Sequence, residues 1–254
     1  MKGADAKRSV YPFFICLSLS PVLSFRHEDV LNPMLLFLAT LPGLLISYAI
    51  FKVDKYEREP FMPLLICYVL GACATIPAVG FEKWVFGMID LHQKDFGSVF
   101  LLSFGVVALI EELLKFAVLY LYVLRGKFFN EPIDGIVYAV LIAMGFATME
   151  NITYAERFGA QTVLLRSFTA VPAHFVFAIV QGYFAGLVRL NANKKHVLLN
   201  RGLLISIGMH GLYDFLIFQN WSDWLFVLAT VSLYMCLFYS SRLIKAHLDN
   251  SPFR

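Results

Sequence analysis

Charged residues are scarce in this sequence, and the motifs of the common hydrolase classes are missing. Asp, Glu, Lys and Arg make up 15% of the 254 residues, whereas soluble domains carry about 25%. The sequence contains no HExxH, no GxSxG and no glycine-rich phosphate loop. These absences exclude a thermolysin-like zinc helix, an α/β-hydrolase nucleophile and a P-loop.

Cysteine patterns and a strong net charge are also missing. The four cysteines, Cys16, Cys67, Cys73 and Cys236, lie in apolar runs without CxxC spacing, so we expect them to be packing residues. The net charge is only +3 and the basic residues fall in short loops, so we expect no nucleic-acid partner. No fixed sequence period indicates a soluble repeat protein.

Hydrophobic residues are abundant instead. They make up 59% of the chain, which includes 25 Phe and has a mean hydropathy of +0.70. We therefore predict an all-α polytopic transmembrane helical bundle that contains its active site, with about eight spans, or seven if the first run does not span. The predicted spans are 10–25, 33–51, 61–81, 99–123, 135–154, 162–188, 202–218 and 224–240; the segments 52–60 and 82–98 are predicted loops, the first with solvated charges.

The chain divides into three predicted regions. Residues 1–32 combine a basic segment with a short apolar run that is an extra span, a re-entrant segment or a signal-like sequence. Residues 33–245 form the predicted bundle, which the lipid bilayer surrounds, and residues 246–254 form a tail. Lys and Arg concentrate in alternate loops, including the 189–201 loop, so the positive-inside rule predicts that this loop and the C-terminus are cytoplasmic.

Three charged residues, Glu111, Glu112 and Lys115, interrupt the apolar run 99–123. A charge at the centre of a membrane helix costs about 2.5–3.5 kcal/mol, so this group requires a compensating environment. Lys115 lies one helical turn from both glutamates and can neutralise either. The glutamates project about 100° apart around the helix, so we expect one to face a reactive cavity. We favour Glu111, which shares a helix face with Lys115, and keep Glu112 as the alternative.

Polar residues interrupt three further predicted spans at similar depths. Asp214 lies one turn after His210 and is expected to accept a ring N–H and fix the tautomer. Because polar groups that face lipid are costly, we expect four helices to bring these side chains into one site. The predicted catalytic residues are Glu111, Glu112, Glu150, Asn151, His174 and His210, and the supporting residues are Lys115, Asp214 and Tyr154.

Buried glutamate and histidine residues can activate water in two ways. In one, a metal ion, with Zn²⁺ as the candidate, is held by His174, His210 and a carboxylate, either Glu150 or one of the glutamate pair. In the other, no metal is bound, a desolvated glutamate is the general base, and His and Asn151 stabilise the oxyanion. A serine nucleophile is the weaker alternative, because Ser206 lies one turn from His210 on the predicted cytoplasmic side.

Four motifs occur in order, each in a separate predicted span. They are Glu111-Glu112-x-x-Lys115, Phe146-x-x-x-Glu150-Asn151, His174 followed by Gly182, and His210-x-x-x-Asp214. Together with the loop Tyr56-Glu57-x-Glu59-Pro60, they resemble the motif set of the PrsW-type intramembrane proteases, which are distantly similar to the CAAX-processing and bacteriocin-immunity (ABI) membrane proteases. The resemblance covers residues 33–240.

This resemblance implies an intramembrane endopeptidase in the cell membrane of a prokaryote. Its substrates would be membrane proteins or membrane-anchored peptides, and in this family they include a membrane-bound anti-sigma factor that receives a first, site-1 cut on the extracytoplasmic side. The family is classed as metalloproteases, whereas its CAAX relatives use a glutamate mechanism. Both routes of water activation therefore stay open.

A proton- or cation-coupled transporter is the main competing function, because buried Glu, Lys and His also form proton relays. Many transporters contain inverted repeats with paired broken helices, and this sequence shows no such internal symmetry. A membrane scaffold with a degenerate site is a third alternative, against which the complete set of motifs argues.

Overall fold

The computed structural model describes residues 32–88, 95–219 and 221–254, and within these ranges it contains no strand. The predicted all-helical class is therefore confirmed for this part of the chain, and the predicted run 10–25 lies outside the described residues. The helices are α1 (Pro33–Val53), α2 (Phe61–Met88), α3 (Phe96–Phe100), α4 (Leu109–Leu121), α5 (Pro132–Phe168), α6 (Ala170–Leu190), α7 (Lys195–Phe218) and α8 (Asp223–Asp249), with a π-helix at Leu101–Ala108 and 3₁₀ turns at Val123–Arg125 and Ala192–Lys194.

Five helical stretches in the described ranges are long and apolar enough to cross a membrane. They are Pro33–Val53, Phe61–Met88, Pro132–Leu190, Ala192–Phe218 and Asp223–Asp249. The predicted spans 135–154 and 162–188 both fall within the third stretch, and the predicted span 99–123 is divided among α3, the π-helix and α4. The protein is thus an integral membrane protein of helical type, and the number of about eight spans stays a prediction.

The predicted loop 82–98 is wrong at its start, because α2 continues to Met88. The hydropathy falls at Glu82 and Lys83, but neither residue is a helix breaker. The polar extension of α2 therefore stays helical and carries Glu82 to the wall of an internal cavity. The helix α8 likewise continues to Asp249, into the predicted tail.

The chain reverses direction at Gly159, within α5. Gly159 has φ 75° and ψ −171°, a backbone region that is essentially restricted to glycine. After the reversal, the Nε of Arg166 lies 2.8 Å from the Oδ1 of Asn151, fifteen positions earlier. In a straight helix these residues would be about 22 Å apart along the axis. The last turns of α5 therefore pack back against the turns that carry Glu150 and Asn151.

The first part of α5 is the centre of the bundle and is almost fully buried between α1, α2 and α6. Small residues allow this close packing. A Cβ atom on Gly135 would meet the backbone of Gly182 and Gly186 in α6, and one on Gly145 would meet the backbone of Tyr68 in α2. Glycine at these contacts lets membrane helices approach closely, so α5 and α6 hold their polar side chains at fixed distances.

The expectation that Glu57, Arg58 and Glu59 form a solvated loop is wrong for Glu59, and Asp54 is buried beside it. Asp54 is only 1% exposed and Glu59 only 5%, and the hydroxyl of Tyr138 donates to Glu59. Burial, with repulsion from Glu131 and Asp134, raises the pKa of Asp54 to about 7. Burial and the Asp134 carboxylate also raise the pKa of Glu59 to about 9. These carboxyl groups pack against the start of α5 instead of facing water.

The raised pKa values predict that stability falls as the pH rises. Between pH 3.8 and about 7 for Asp54, the folded protein retains a proton that the unfolded chain has lost, so alkalinity favours unfolding. We expect Asp54→Asn to reduce the loss of thermal stability between pH 5 and pH 8, measured in detergent. The exposed Asp223 at the start of α8 supplies the control, since Asp223→Asn should retain the wild-type slope. Equal slopes in Asp54→Asn and wild type would contradict this assignment.

The backbone of Gly159 predicts a second effect on stability. Because a side chain is strained at this φ and ψ, Gly159→Ala is expected to cost about 1–3 kcal/mol of unfolding free energy. Gly80 is the matched control: it is helical and a Cβ there meets nothing within 4 Å, so Gly80→Ala should be neutral or slightly stabilising. Thermal unfolding of both variants in detergent measures the difference. Equal melting temperatures would show that the turn does not require glycine.

Candidate active site

Four helices bring the polar residues of the predicted spans together. Their side chains come from α4 (Glu111, Glu112, Lys115), α5 (Glu150, Asn151, Tyr154), α6 (His174) and α7 (His210, Asp214). The π-helix Leu101–Ala108 ends directly before α4, and π-helical turns are frequent at functional sites. It sets the rotation at which the glutamates enter the site.

The ammonium group of Lys115 lies at the centre of the cluster. Its Nζ is 2.6 Å from Glu112 Oε1, 3.5 Å from Glu111 Oε2 and 3.1 Å from His174 Nδ1. The ring of Phe146 covers it, with the centroid 4.7 Å away. An ammonium group has three donors and no acceptor, so Lys115 donates in every contact with an acceptor. Lys115 is therefore a counter-ion to Glu112 first and to Glu111 second.

These contacts define the hydrogen-bonding state of His174. Because Lys115 can only donate, His174 Nδ1 must accept and carries no proton. The ring proton is then on Nε2, which lies 2.7 Å from Glu150 Oε2 and donates to it. The structure thus assigns His174 as a neutral imidazole with both nitrogens hydrogen-bonded.

The ring of His210 is held by a different carboxylate from the predicted one. Its Nδ1 lies 2.9 Å from Glu112 Oε1, and since a carboxylate accepts, Nδ1 carries a proton. Asp214 Oδ2 lies 3.3 Å from Nε2 but makes no hydrogen bond with a described residue. Glu112 therefore orients the ring at Nδ1, and the carboxylate of Asp214 faces Nε2. The Nε2 atom is 4.0 Å from Glu111 Oε2.

The site residues fall into two groups, according to whether they line a cavity of about 330 Å³. The residues that line it include Glu111, Glu150, Tyr154, His174, His210 and Asp214, whereas Glu112, Lys115 and Asn151 are buried behind them. The sequence argument for Glu111 relied on the position of Lys115, which in fact lies closer to Glu112. What distinguishes Glu111 is its place in the cavity wall.

The amide of Asn151 is committed to structural contacts. Its Oδ1 accepts from Arg166 Nε at 2.8 Å, and its Nδ2 donates to the carbonyl oxygen of Ala39 in α1 at 3.5 Å. The residue is fully buried. Other residues form the wall of the cavity, so the amide does not face it in this structure.

Sequence reasoning missed four charged residues of the cavity wall: Glu82, Lys83, Arg157 and Arg166. Arg166 interrupts the apolar run 162–188, and the cost of a charge inside a predicted span was the signal that identified Glu111. The same signal was present at Arg166. The sequence signal at Glu82 is weaker, because Glu82 follows the apolar part of α2 and does not interrupt it.

Three side chains offer the donors of a metal site. Glu111, His174 and His210 each present a ligand atom, and these atoms lie within 4.8 Å of one another. Two imidazoles and one carboxylate are a common protein donor set for catalytic zinc, so the residues fit this ion. Glu150, which was one predicted ligand, is instead a hydrogen-bond partner of His174. His174 would exchange one of its two partners on binding a metal.

Comparison with known proteins gives a consistent result. The family model described as PrsW family intramembrane metalloprotease matches residues 59–241. The chain is similar to proteins named Protease PrsW from Geobacillus kaustophilus (33% identity; 74% of this chain, 83% of the relative), Clostridioides difficile (32%; 78% and 84%) and Bacillus subtilis (31%; 82% and 94%). No solved structure matches.

Proposed function

The chain belongs to the PrsW family of intramembrane metalloproteases, and we propose that its cavity hydrolyses peptide bonds of membrane-protein or membrane-anchored peptide substrates with Glu111 as the general base. The protein is a membrane protease by this membership. The observation that supports the site is the wall of the cavity, in which Glu111, His174 and His210 lie side by side. The buried network around Lys115 holds them there.

The chemistry needs one base and one donor. Glu111 takes a proton from water as the water oxygen bonds to the scissile carbonyl carbon, which produces a tetrahedral oxyanion. Glu111 then returns this proton to the leaving nitrogen as the C–N bond breaks. His210 supplies the donor, because carboxylates at its Nδ1 and Nε2 (Glu112 and Asp214) stabilise an imidazolium. Its Nε2–H stabilises the oxyanion. We do not assign this role to Asn151, because its amide contacts Arg166 and the Ala39 carbonyl.

A zinc form is the alternative to this proposal, and in it Glu111 would be a ligand instead of the general base. Glu111, His174 and His210 would hold the ion, and a bound zinc would lower the pKa of water and polarise the carbonyl. Glu150, which accepts the Nε2–H, would then orient His174 from outside the ligand set. Metal analysis of the active protein separates the two forms: one zinc per chain supports the metal form, and full activity without metal supports the glutamate form.

The position of the cavity indicates the side of the membrane on which the substrate is cut. Its wall includes Glu82 near the end of α2, Arg157 beside the Gly159 turn and Phe218 at the end of α7. This is the end of the bundle opposite the 189–201 loop, which the distribution of charges predicts to be cytoplasmic. We therefore infer a cut on the extracytoplasmic side, as in the site-1 cleavage of a membrane-bound anti-sigma factor. Only the buried charges favour the alternative function as a transporter.

Because the two glutamates lie in different positions, we expect their substitution to have different effects. We expect Glu111→Gln to lower kcat by about 10²–10⁴-fold, because the general base is lost, with thermal stability near wild type. Glu112→Gln should cost about 3–5 kcal/mol of stability, because it leaves Lys115 without its nearest counter-ion. Cleavage of a single-span substrate in proteoliposomes and thermal unfolding measure the two effects.

The exposed Glu156 of α5 is the control for both measurements. Glu156→Gln should retain wild-type cleavage and wild-type stability. Cleavage by Glu111→Gln at the wild-type rate would contradict the general-base role, and unchanged cleavage in both His174→Ala and His210→Ala would contradict the site itself.

A further inference from the structure

We propose that Arg166 is a positioning residue of this active site, which holds Glu150 in the orientation that accepts the Nε2–H of His174. The proposal rests on the proteolytic function above. Arg166 lies beyond the reversal at Gly159, outside every motif identified in the sequence, and its side chain is only 5% exposed.

The guanidinium of Arg166 contacts three residues of one helical turn of α5. Its Nε donates to Asn151 Oδ1 at 2.8 Å, and its Cζ lies 3.7 Å from the ring centroid of Tyr154. Its Nη2 forms an ion pair with Glu150 Oε2 at 3.3 Å, without a hydrogen bond. A planar, rigid guanidinium can make all three contacts at once, whereas an ammonium group acts as a point charge. The side chain thus clamps this turn.

The clamp is itself anchored. The amide of Asn151 accepts from Arg166 with its oxygen and donates to the Ala39 carbonyl with its nitrogen, so α1 fixes the point to which Nε binds. The ring of Tyr154 covers one face of the guanidinium. The remaining Nη groups are consequently held beside Glu150. Asn151 therefore has a structural part in the site instead of the predicted catalytic one.

The effect of the clamp reaches His174 through one oxygen atom. Glu150 Oε2 lies 3.3 Å from Arg166 Nη2 and 2.7 Å from His174 Nε2. The carboxylate has no other ion pair in the described part of the chain. Without Arg166, Glu150 is free to turn towards the cavity, and His174 keeps only its contact with Lys115. Partners that orient a functional histidine in this way commonly contribute about tenfold to a hundredfold to activity.

The test combines histidine NMR with kinetics. Protonated and unprotonated ring nitrogens differ in ¹⁵N shift, so ¹⁵N-histidine labelling reports the tautomer, and the signals of His174 are those missing in His174→Gln. We expect the Nε2–H tautomer in both proteins, because Lys115 still donates to Nδ1. The ¹H resonance of this Nε2–H should be far downfield in wild type and should shift upfield in Arg166→Gln, because its carboxylate acceptor is no longer held. The kcat of Arg166→Gln should fall about tenfold to a hundredfold, with KM within about threefold of wild type. Arg166→Lys should recover part of the loss, because the charge beside Glu150 is kept.

Arg189→Gln is the matched control. Arg189 also donates to a backbone oxygen, that of Asn130 at 3.1 Å, and its Cζ lies 5.6 Å from the ring centroid of Phe129. It lies at the end of α6 that is far from His174. Its loss should leave the Nε2–H resonance of His174 and kcat unchanged. The signals of His210, which Glu112 holds, should also stay unchanged in Arg166→Gln and so report that the site is folded.

Two results would overturn the proposal: a wild-type Nε2–H resonance of His174 in Arg166→Gln, or a loss of activity that lies in KM alone. If Arg166→Gln does not fold, Arg166→Lys decides by the same readouts, with a smaller shift expected. The NMR measurement needs no substrate. A shifted Nε2–H resonance in a protein that cleaves nothing would refute the proposed function and support the clamp, whereas cleavage with an unchanged resonance and kcat would do the reverse.

Discussion

The active site depends on one buried ammonium group. Lys115 is almost fully buried and contacts two carboxylates and an imidazole that come from two helices, α4 and α6. In a low-dielectric interior, unpaired carboxylates would be very costly, so Lys115 makes it possible to place two adjacent glutamates inside an apolar bundle. Its three donors also fix the direction in which each partner points. The other features of the site follow from this arrangement.

The two glutamates of the motif have different roles because Lys115 does not serve them equally. Glu112 Oε1 accepts from both Lys115 and His210, so it is committed to holding the network together. Glu111 makes the longer contact with Lys115 and lines the cavity, so it is the carboxylate that can react. On the opposite wall, Arg166 stabilises Glu150 as Lys115 stabilises Glu112. In each case one carboxylate oxygen contacts both a cation and a histidine.

Much of the site could be predicted because a charge in an apolar run has a large energetic cost. That cost identified Glu111, Glu112, Lys115 and the histidines, and the length of the runs predicted an all-helical membrane protein. Rotation about the helix axis and chain reversals were beyond such reasoning. The π-helix before α4 changes the helical rotation, and the contacts of Arg166 with Glu150 and Asn151 exist only because Gly159 turns the chain back. Glu59 was assigned to a solvated loop because its partner, Tyr138, is seventy-nine positions away in the sequence.

A double-mutant cycle on Lys115 and Glu112 tests most directly whether their ion pair organises the site. The unfolding free energies of Lys115→Met, Glu112→Leu and the double variant are measured in the same detergent. Each single change leaves a buried charge without its partner and should cost about 3–5 kcal/mol, whereas replacing both with apolar residues should cost much less than the sum. Additive losses in the double variant would contradict this account.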